Sequence, residues 1–255
     1  MIVVFFGLPG SGKTSLCKKL LEHTDAIHIN ADEIRADLSS DLGFSLEDRV
    51  EHARRLGAIA RLLSNQGKLV FVDFVNPTKQ TRLAFGDSDF KIYINRVDKS
   101  RYEDTNSIWE SPESTFYSLE IKNGLTLDEE KDAVLGLLNL VDWKLPTTLM
   151  LGRYQPWHEG HEALKTQAHL RTEQVLVGIR DTHLTSEKDP LSVDEVVVYM
   201  KQNSKSSESN TVILRLPNIT NIIYGRDVGY RIEKVELSAE LQSISATQKR
   251  KELGI

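Results

Sequence analysis

The chain has 255 residues, 40% of them hydrophobic and 27% charged, with 15 glycines and 7 prolines. These globular values exclude collagen-like or broadly disordered sequence and allow a full core in two compact domains or one large one. The net charge is −5, and because residues 146–255 carry 14 basic and 14 acidic side chains the acidic excess lies wholly before them. That excludes a duplex-binding surface built on many neutralised phosphates, while leaving room for a basic pocket around one nucleotide.

In chain order, residues 1–6 predict a buried strand: the run lacks a basic leader and enters Gly7 directly, unlike a signal peptide. Residues 15–22 predict a helix with Leu16, Leu20 and Leu21 on one side. A second amphipathic helix covers about 50–63, the short apolar run 69–72 ends at Asp73, and 90–94 is another strand. Helix 128–141 closes this half and 144–148 connects. The alternation then restarts with strand 149–151, loop 152–160, helix 162–169, strand 174–179 and helix 194–201. A polar loop of mobile composition at 202–210, strand 211–216 and helix 246–253 complete it. This pattern predicts two successive α/β domains with parallel sheets, residues 1–145 and 146–255, and no internal repeat.

The single cysteine, Cys17, cannot form an intrachain disulfide, and no Cys/His cluster has the spacing of a structural zinc site. The expected compartment is the reducing cytoplasm, and Cys17 reads as a small buried core residue. No apolar run approaches the roughly 18 residues that span a bilayer.

Residues 7–14 read GLPGSGKT, which fits G-x-x-x-x-G-K-[ST] between a strand and a helix. Gly7, Leu8, Pro9, Gly10, Ser11 and Gly12 form a phosphate cradle. Lys13 reaches the β- and γ-oxygens, and Thr14 is a ligand for Mg²⁺. The expected ligand is a nucleoside triphosphate.

Three further blocks follow: NADEIR at 30–35, DLGFSLEDRVEHARR at 41–55 and FVNP at 74–77. With the loop they resemble adenylylsulfate kinase in order and spacing over roughly residues 1–95. The resemblance implies a P-loop kinase fold in which ATP phosphorylates the ribose 3′-hydroxyl of adenylylsulfate. It assigns Asp32 to the acceptor hydroxyl and Arg35, Arg49, His52 and Asn76 to the acceptor. Phe44 matches the aromatic that stacks on the nucleotide, and Asp73 is a candidate for Mg²⁺ or its waters. Taken alone, Asp32 and Arg35 read as a surface ion pair on a loop, and Arg54 and Arg55 split between solvent and site. The chain departs from the family at Asn30-Ala31-Asp32, usually Asp-Gly-Asp, at His52, usually Asn, and at Asp73, usually Ser. The segment 101–110, RYEDTNSIWE, stands in place of the basic lid. These departures bear on the acceptor, so the expectation is kinase chemistry on a small hydroxylated molecule.

Residues 152–161, GRYQPWHEGH, lie between a strand and a helix. They resemble the G-R-F-Q-P-x-H-x-G-H signature of the nucleotidyltransferases that include nicotinamide mononucleotide adenylyltransferases and cytidylyltransferases, a Rossmann-like fold. The resemblance makes His158 and His161 the groups that stabilise charge on the α-phosphate and leaving pyrophosphate. Gly152, Arg153, Tyr154 and Gly160 then bind the nucleotide. Two histidines three apart also suit a metal. Residues 244–250, ISATQKR, are similar to the family's I-S-S-T-x-I-R, implying Ser245, Thr247 and Arg250 at the β- and γ-phosphates. Alone, such a run is a helix cap. Arg180 and Asp227 fall where that superfamily recognises base and acceptor, and taken alone they read equally as a solvated Arg–Asp pair.

The joint expectation is a bifunctional enzyme, a kinase followed by a transferase of AMP or CMP onto a phosphate monoester. It would use Mg²⁺, ATP, and ATP or CTP in the second domain, with small-molecule substrates, no nucleic-acid or membrane partner, and a homodimer as a compatible assembly. An activated-sulfate synthase and a nucleotide-binding module with decayed chemistry are the alternatives.

Overall fold

The computed structural model describes residues 1–183, 185–187, 189–204, 210–223, 225, 229, 231–239, 241, 244 and 246–253. The chain divides into two compact units, Met1–Leu138 and Asn139–Ile255.

The first unit runs β1 (Ile2–Phe6), α1 (Lys13–Leu21), β2 (Ile27–Asn30), α2 (Ala31–Asp37), α3 (Leu46–Asn65), β3 (Val70–Phe74), α4 (Lys79–Phe85), β4 (Phe90–Ile94), α5 (Glu103–Ile108), β5 (Leu119–Ile121) and α6 (Leu127–Leu138). Its five strands lie in the order β2-β3-β1-β4-β5, and every pairing is parallel. The central strands are apolar on both faces because helices cover both sides. Alternation sorts their side chains: Ile2, Val4, Phe6, Val70, Val72 and Phe74 join Ile29 and the α3 residues Ala53, Leu56 and Ala60 in one core. The register pairs Asn30 and Phe5 with Asp73, so His28, Asn30 and Asp73 share the other face, against α1. One face is thus built for packing and the carboxyl end of the other for polar chemistry.

Several elements differ from the sequence expectation. Helix α3 starts at Leu46, before 50, because Ser45 caps it by accepting from the Asp48 N–H. Helix α6 stops at Leu138, before 141, where Asn139 turns left-handed at φ 52°. Elements β2, α2, α4, α5 and β5 were not anticipated; each has 3 to 7 residues, too few for a periodic signal.

The second unit runs β6 (Thr147–Gly152), α7 (Glu159–His169), β7 (Gln174–Arg180), α8 (Val193–Asn203), β8 (Thr211–Leu216) and α9 (Ala246–Leu253). Its sheet is parallel, in the order β6-β7-β8. Met150, Val175, Val177 and Ile179 pack with Ala168, Val196, Met200, Tyr154 and Trp157. Thr147 and Thr148, expected in the connector, belong to β6 because they pair with Gln174 and Val175. Of the polar stretch 202–210, residues 205–209 lie outside the described residues. Among the described residues no helix is long and apolar enough to cross a membrane.

Candidate functional site

The first site lies at the carboxyl end of β1. Residues 7–12 turn from β1 into α1 with Gly7 at φ 149° and Gly12 at φ 94°, backbone that side chains rarely adopt. A methyl group on Gly7 would also collide with the Ile94 carbonyl at the end of β4. Lys13 opens α1, is 8% exposed, and folds back so that Nζ donates to the Leu8 carbonyl at 3.0 Å. Burial lowers its pKa to about 8, against the opposing pull of Asp73 and Asp32. The ammonium persists at neutral pH, and a bound polyphosphate would stabilise it further. Apparent ATP affinity, titrated from pH 7 upward, is therefore expected to weaken as pH rises through about 8. A flat profile would detach Lys13 from nucleotide binding.

Thr14 donates its hydroxyl to Asp73 Oδ2. Asp73 is 2% exposed and its Oδ1 accepts from the Asn30 amide at 2.9 Å, with His28 Nε2 at 3.1 Å. The other end of the Asn30 amide caps α2, accepting from the N–H groups of Asp32 at 3.0 Å and Glu33 at 3.1 Å. Only an amide performs both tasks, since an aspartate has no donor for Asp73. Asn30→Ala is expected to lower stability by about 1–2 kcal/mol, read from the urea midpoint, through loss of the cap and of a charge-assisted hydrogen bond. An unchanged midpoint would show that water replaces both.

That cap places Asp32 in the first turn of a helix, where sequence reasoning had it on a loop. Asp32 is exposed and near enough to act electrostatically on both Lys13 and Arg35. Arg35 donates to the Gly43 carbonyl at 2.6 Å, and Arg49 Nε to the Phe44 carbonyl at 2.9 Å. Their guanidinium carbons lie 4.9 and 5.6 Å from the centre of the Phe44 ring, which is 65% exposed. Burial and the neighbouring Arg49 charge lower the Arg35 pKa. Two cations converging on one exposed ring form a surface suited to a planar anionic ligand. Arg49 also reaches Asp104 at 2.5 Å and Thr105 at 3.2 Å, so the 101–110 segment docks beside it.

His52 lies buried behind α2 with Nε2 at 3.1 Å from the Ala31 carbonyl; burial and the Arg35 charge lower its pKa to about 4. It is neutral at pH 7, and its Nδ1 is buried with no hydrogen-bond partner among the described residues. Asn76 is buried at φ 52°, and its side-chain oxygen likewise has no partner among the described residues. Arg54 pairs with Glu51, while Arg55 clamps Glu51 and Asp41 at the surface. Sequence reasoning missed Arg82 and Arg96. Arg82 is buried among Phe6, Trp109 and Phe116 and donates to the Asn76 carbonyl at 3.4 Å. Arg96 donates to the Ser11 carbonyl of the loop at 3.3 Å and pairs with buried Glu130. No local pattern marks either; strand order brings them there.

The second site lies at the carboxyl end of β6. Helix α7 starts at Glu159, earlier than 162, because His158 caps it. His158 Nδ1 accepts from the Gly160 N–H at 3.2 Å, and His161 Nδ1 accepts from the His158 N–H at 3.3 Å. With both Nδ1 atoms accepting, the ring protons sit on Nε2, leaving two N–H donors on rings stacked 3.7 Å apart. Burial, then the His158 charge, lowers the His161 pKa to about 3; burial lowers that of His158. Tyr154 and Trp157 wall His161, with ring centres 5.0 and 5.3 Å away. A methyl on Gly152 would press on the Tyr154 ring, and one on Gly160 would sit 3.1 Å from His158. Beside His158 opens a cleft of 240 Å³ walled by Trp157, Glu159, Tyr199, Asn203 and Lys249.

The two C-terminal motifs meet: Arg250 donates to the Gln155 carbonyl at 2.8 Å and to Thr247 Oγ1 at 3.1 Å, and Lys249 lies 3.4 Å from Glu159. Arg153 pairs with Asp189 at 2.8 Å, and Arg180 donates to Asn218 at 2.7 Å at the end of β7. Ser245 and Asp227 lie outside the described residues.

A parallel sheet of order β2-β3-β1-β4-β5 with this loop after its central strand defines the first unit as a P-loop kinase-type domain. Residues 1–96 match the adenylylsulphate kinase family, so that domain is adenylylsulfate kinase-like. An adenylyl-sulfate kinase of Picosynechococcus sp. is 39% identical over 85 residues, 31% of this chain and 48% of that protein. The bifunctional enzyme NodQ of Rhizobium meliloti is 37% identical over 86 residues, 32% of this chain and 13% of NodQ. The solved Mycobacterium tuberculosis APS kinase CysC, in complex with AMPPNP and APS, is 29% identical with a TM-score of 0.47, covering 54% of this chain and 96% of that one. The chain spans about half the length, or less, of these curated relatives.

Proposed function

We propose that the chain is a bifunctional enzyme: an ATP-dependent kinase acting on a hydroxyl of a small anionic acceptor, and a nucleotidyltransferase moving AMP or CMP onto a phosphate monoester. The observation that carries the kinase reading is Asp32 standing within electrostatic reach of Lys13, with Arg35 and Arg49 beyond it. The acceptor oxygen bonds to the γ-phosphorus as the bond to the bridging oxygen of ADP breaks, and Asp32 takes up the hydroxyl proton. Lys13 and the loop N–H groups stabilise charge on the departing diphosphate. The adjoining oxygen donors of Thr14 and Asp73 fit Mg²⁺ and would hold it. When bound, it neutralises charge on the β- and γ-phosphates.

In the second unit the reading rests on the paired Nε2–H donors of His158 and His161, with Arg250 at the same loop. A phosphate-monoester oxygen attacks the α-phosphorus, the bond to the bridging oxygen breaks, and pyrophosphate leaves. The neutral histidines donate to the oxygens on which charge grows, and Arg250 balances the leaving group.

Product analysis by mass spectrometry tests both halves, using the full chain, Mg²⁺, labelled ATP or CTP, and a panel of nucleosides, adenylylsulfate and phosphate monoesters. A phosphorylated acceptor lost only in Lys13→Ala supports the kinase, and pyrophosphate lost only in His161→Ala supports the transferase. Nucleotide binding without either product across the panel would count against both.

A further inference from the structure

We propose that Cys17, His28 and Asp73 form a binding site for a thiophilic divalent cation of the zinc class, beneath the phosphate loop. One ligand atom from each residue lies within 4.8 Å of the other two, and His28 Nε2 is 3.1 Å from Asp73 Oδ1. Bonds of about 2.0–2.3 Å around a tetrahedral zinc put neighbouring ligand atoms roughly 3–4 Å apart, so small side-chain movements close the set. Three rigid elements supply the ligands: Cys17 lies one turn after Thr14 on α1, His28 two residues before Asn30 on β2, and Asp73 opposite Asn30 on β3. Cys17 is fully buried, and the His28 side chain is 13% exposed.

The chemistry of the set is selective. Thiolate and imidazole favour zinc or cobalt over magnesium and calcium, which prefer oxygen alone. In the free protein, burial and the Asp73 charge keep the proton on the Cys17 thiol. Coordination releases that proton to solvent, and the His28 ring proton moves to Nδ1 so that the ion occupies the place between Nε2 and Oδ1. Three protein ligands leave a fourth position for water or a phosphate oxygen. Because Asp73 also contacts Thr14, a zinc-class ion and the magnesium nucleotide exclude each other; this consequence, unlike the site itself, rests on the kinase reading.

The test is a Co²⁺ titration of the full chain without nucleotide, followed through the thiolate-to-cobalt charge-transfer band in the near ultraviolet. With 1 cysteine in the sequence, the band reports Cys17 alone. The expected result is a band that saturates at one ion per chain, is displaced by Zn²⁺ but not by Mg²⁺, and is absent in Cys17→Ala. His28→Gln should weaken the affinity more than about tenfold. No band in the unmodified chain would overturn the proposal without recourse to any variant. A band at one ion per two chains, or one indifferent to His28→Gln in a variant whose circular dichroism shows it folded, would overturn it too. A band in a chain that phosphorylates no acceptor would support the metal site and remove the kinase reading instead.

Discussion

Lys13→Ala is expected to slow phosphoryl transfer by about 10²–10³-fold, the loss that follows removal of one preorganised stabiliser of transition-state charge. Pyrophosphate release by the second unit should stay within about twofold. The size follows from the setting: Lys13 is buried, its pKa is already lowered to about 8, and its Nζ rests on a loop carbonyl. Little reorganisation is needed when phosphate arrives, so most of the interaction is available in the transition state. The folded state should tolerate the change, because burying the ammonium is itself costly. ADP formation measured beside a thermal melt separates the two effects. Loss of pyrophosphate release in the same variant would show that the two chemistries are not independent.

His161→Asn is the sharper probe of the second site, with an expected loss of about 10²–10³-fold in pyrophosphate release. His161 does two things: Nδ1 accepts from the His158 N–H, which leaves the ring proton on Nε2 as a donor. An asparagine oxygen can take over the first task but cannot supply the second donor in the same place. Stability within about 0.5 kcal/mol of the unmodified chain, together with the rate loss, would assign the chemistry to Nε2. A rate unchanged in His161→Asn would reduce the motif to a helix cap.

The same burial has a pH signature. His161 and His52 fall from an ordinary value of 6.5 to about 3 and about 4. Between those values and 6.5 the unfolded chain binds protons that the folded chain refuses, so stability rises with pH across that window. The contribution is complete above 6.5 and is lost as pH falls toward 4 and below. Urea midpoints should therefore decline from pH 6.5 downward, less steeply in His52→Gln. The transferase rate should show no inflection near 6.5 from His161.

Long apolar runs and glycine-rich turns were legible in the chain. The strand at 90–94, the strand at 211–216 and the helix at 246–253 have the bounds their residues predict. The strand Ile27–Asn30 was not legible: its four residues alternate apolar and polar, and only pairing with Val70–Phe74 makes them a strand. Missing that strand also hid the helix after it, so Asp32 read as a loop residue.

By itself the sequence determined the local devices: the glycine-rich loop at 7–14, the histidine pair at 158 and 161, and the alternation that demands parallel α/β sheets. These depend on spacings of a few residues, which sterics and hydrogen-bond periodicity translate directly into structure. Only the tertiary structure decided the company each device keeps. Thr14 meets Asp73 across 59 positions, and Arg250 meets Gln155 across 95. Asn30 for Asp and Asp73 for Ser read as separate departures from the adenylylsulfate kinase pattern, and the register sets the two residues side by side. Cys17, His28 and Asp73 have no spacing that signals a cluster, and strand order with helix packing gathers them. Such contacts depend on which strands become neighbours, a choice made by the whole hydrophobic core and by no segment alone.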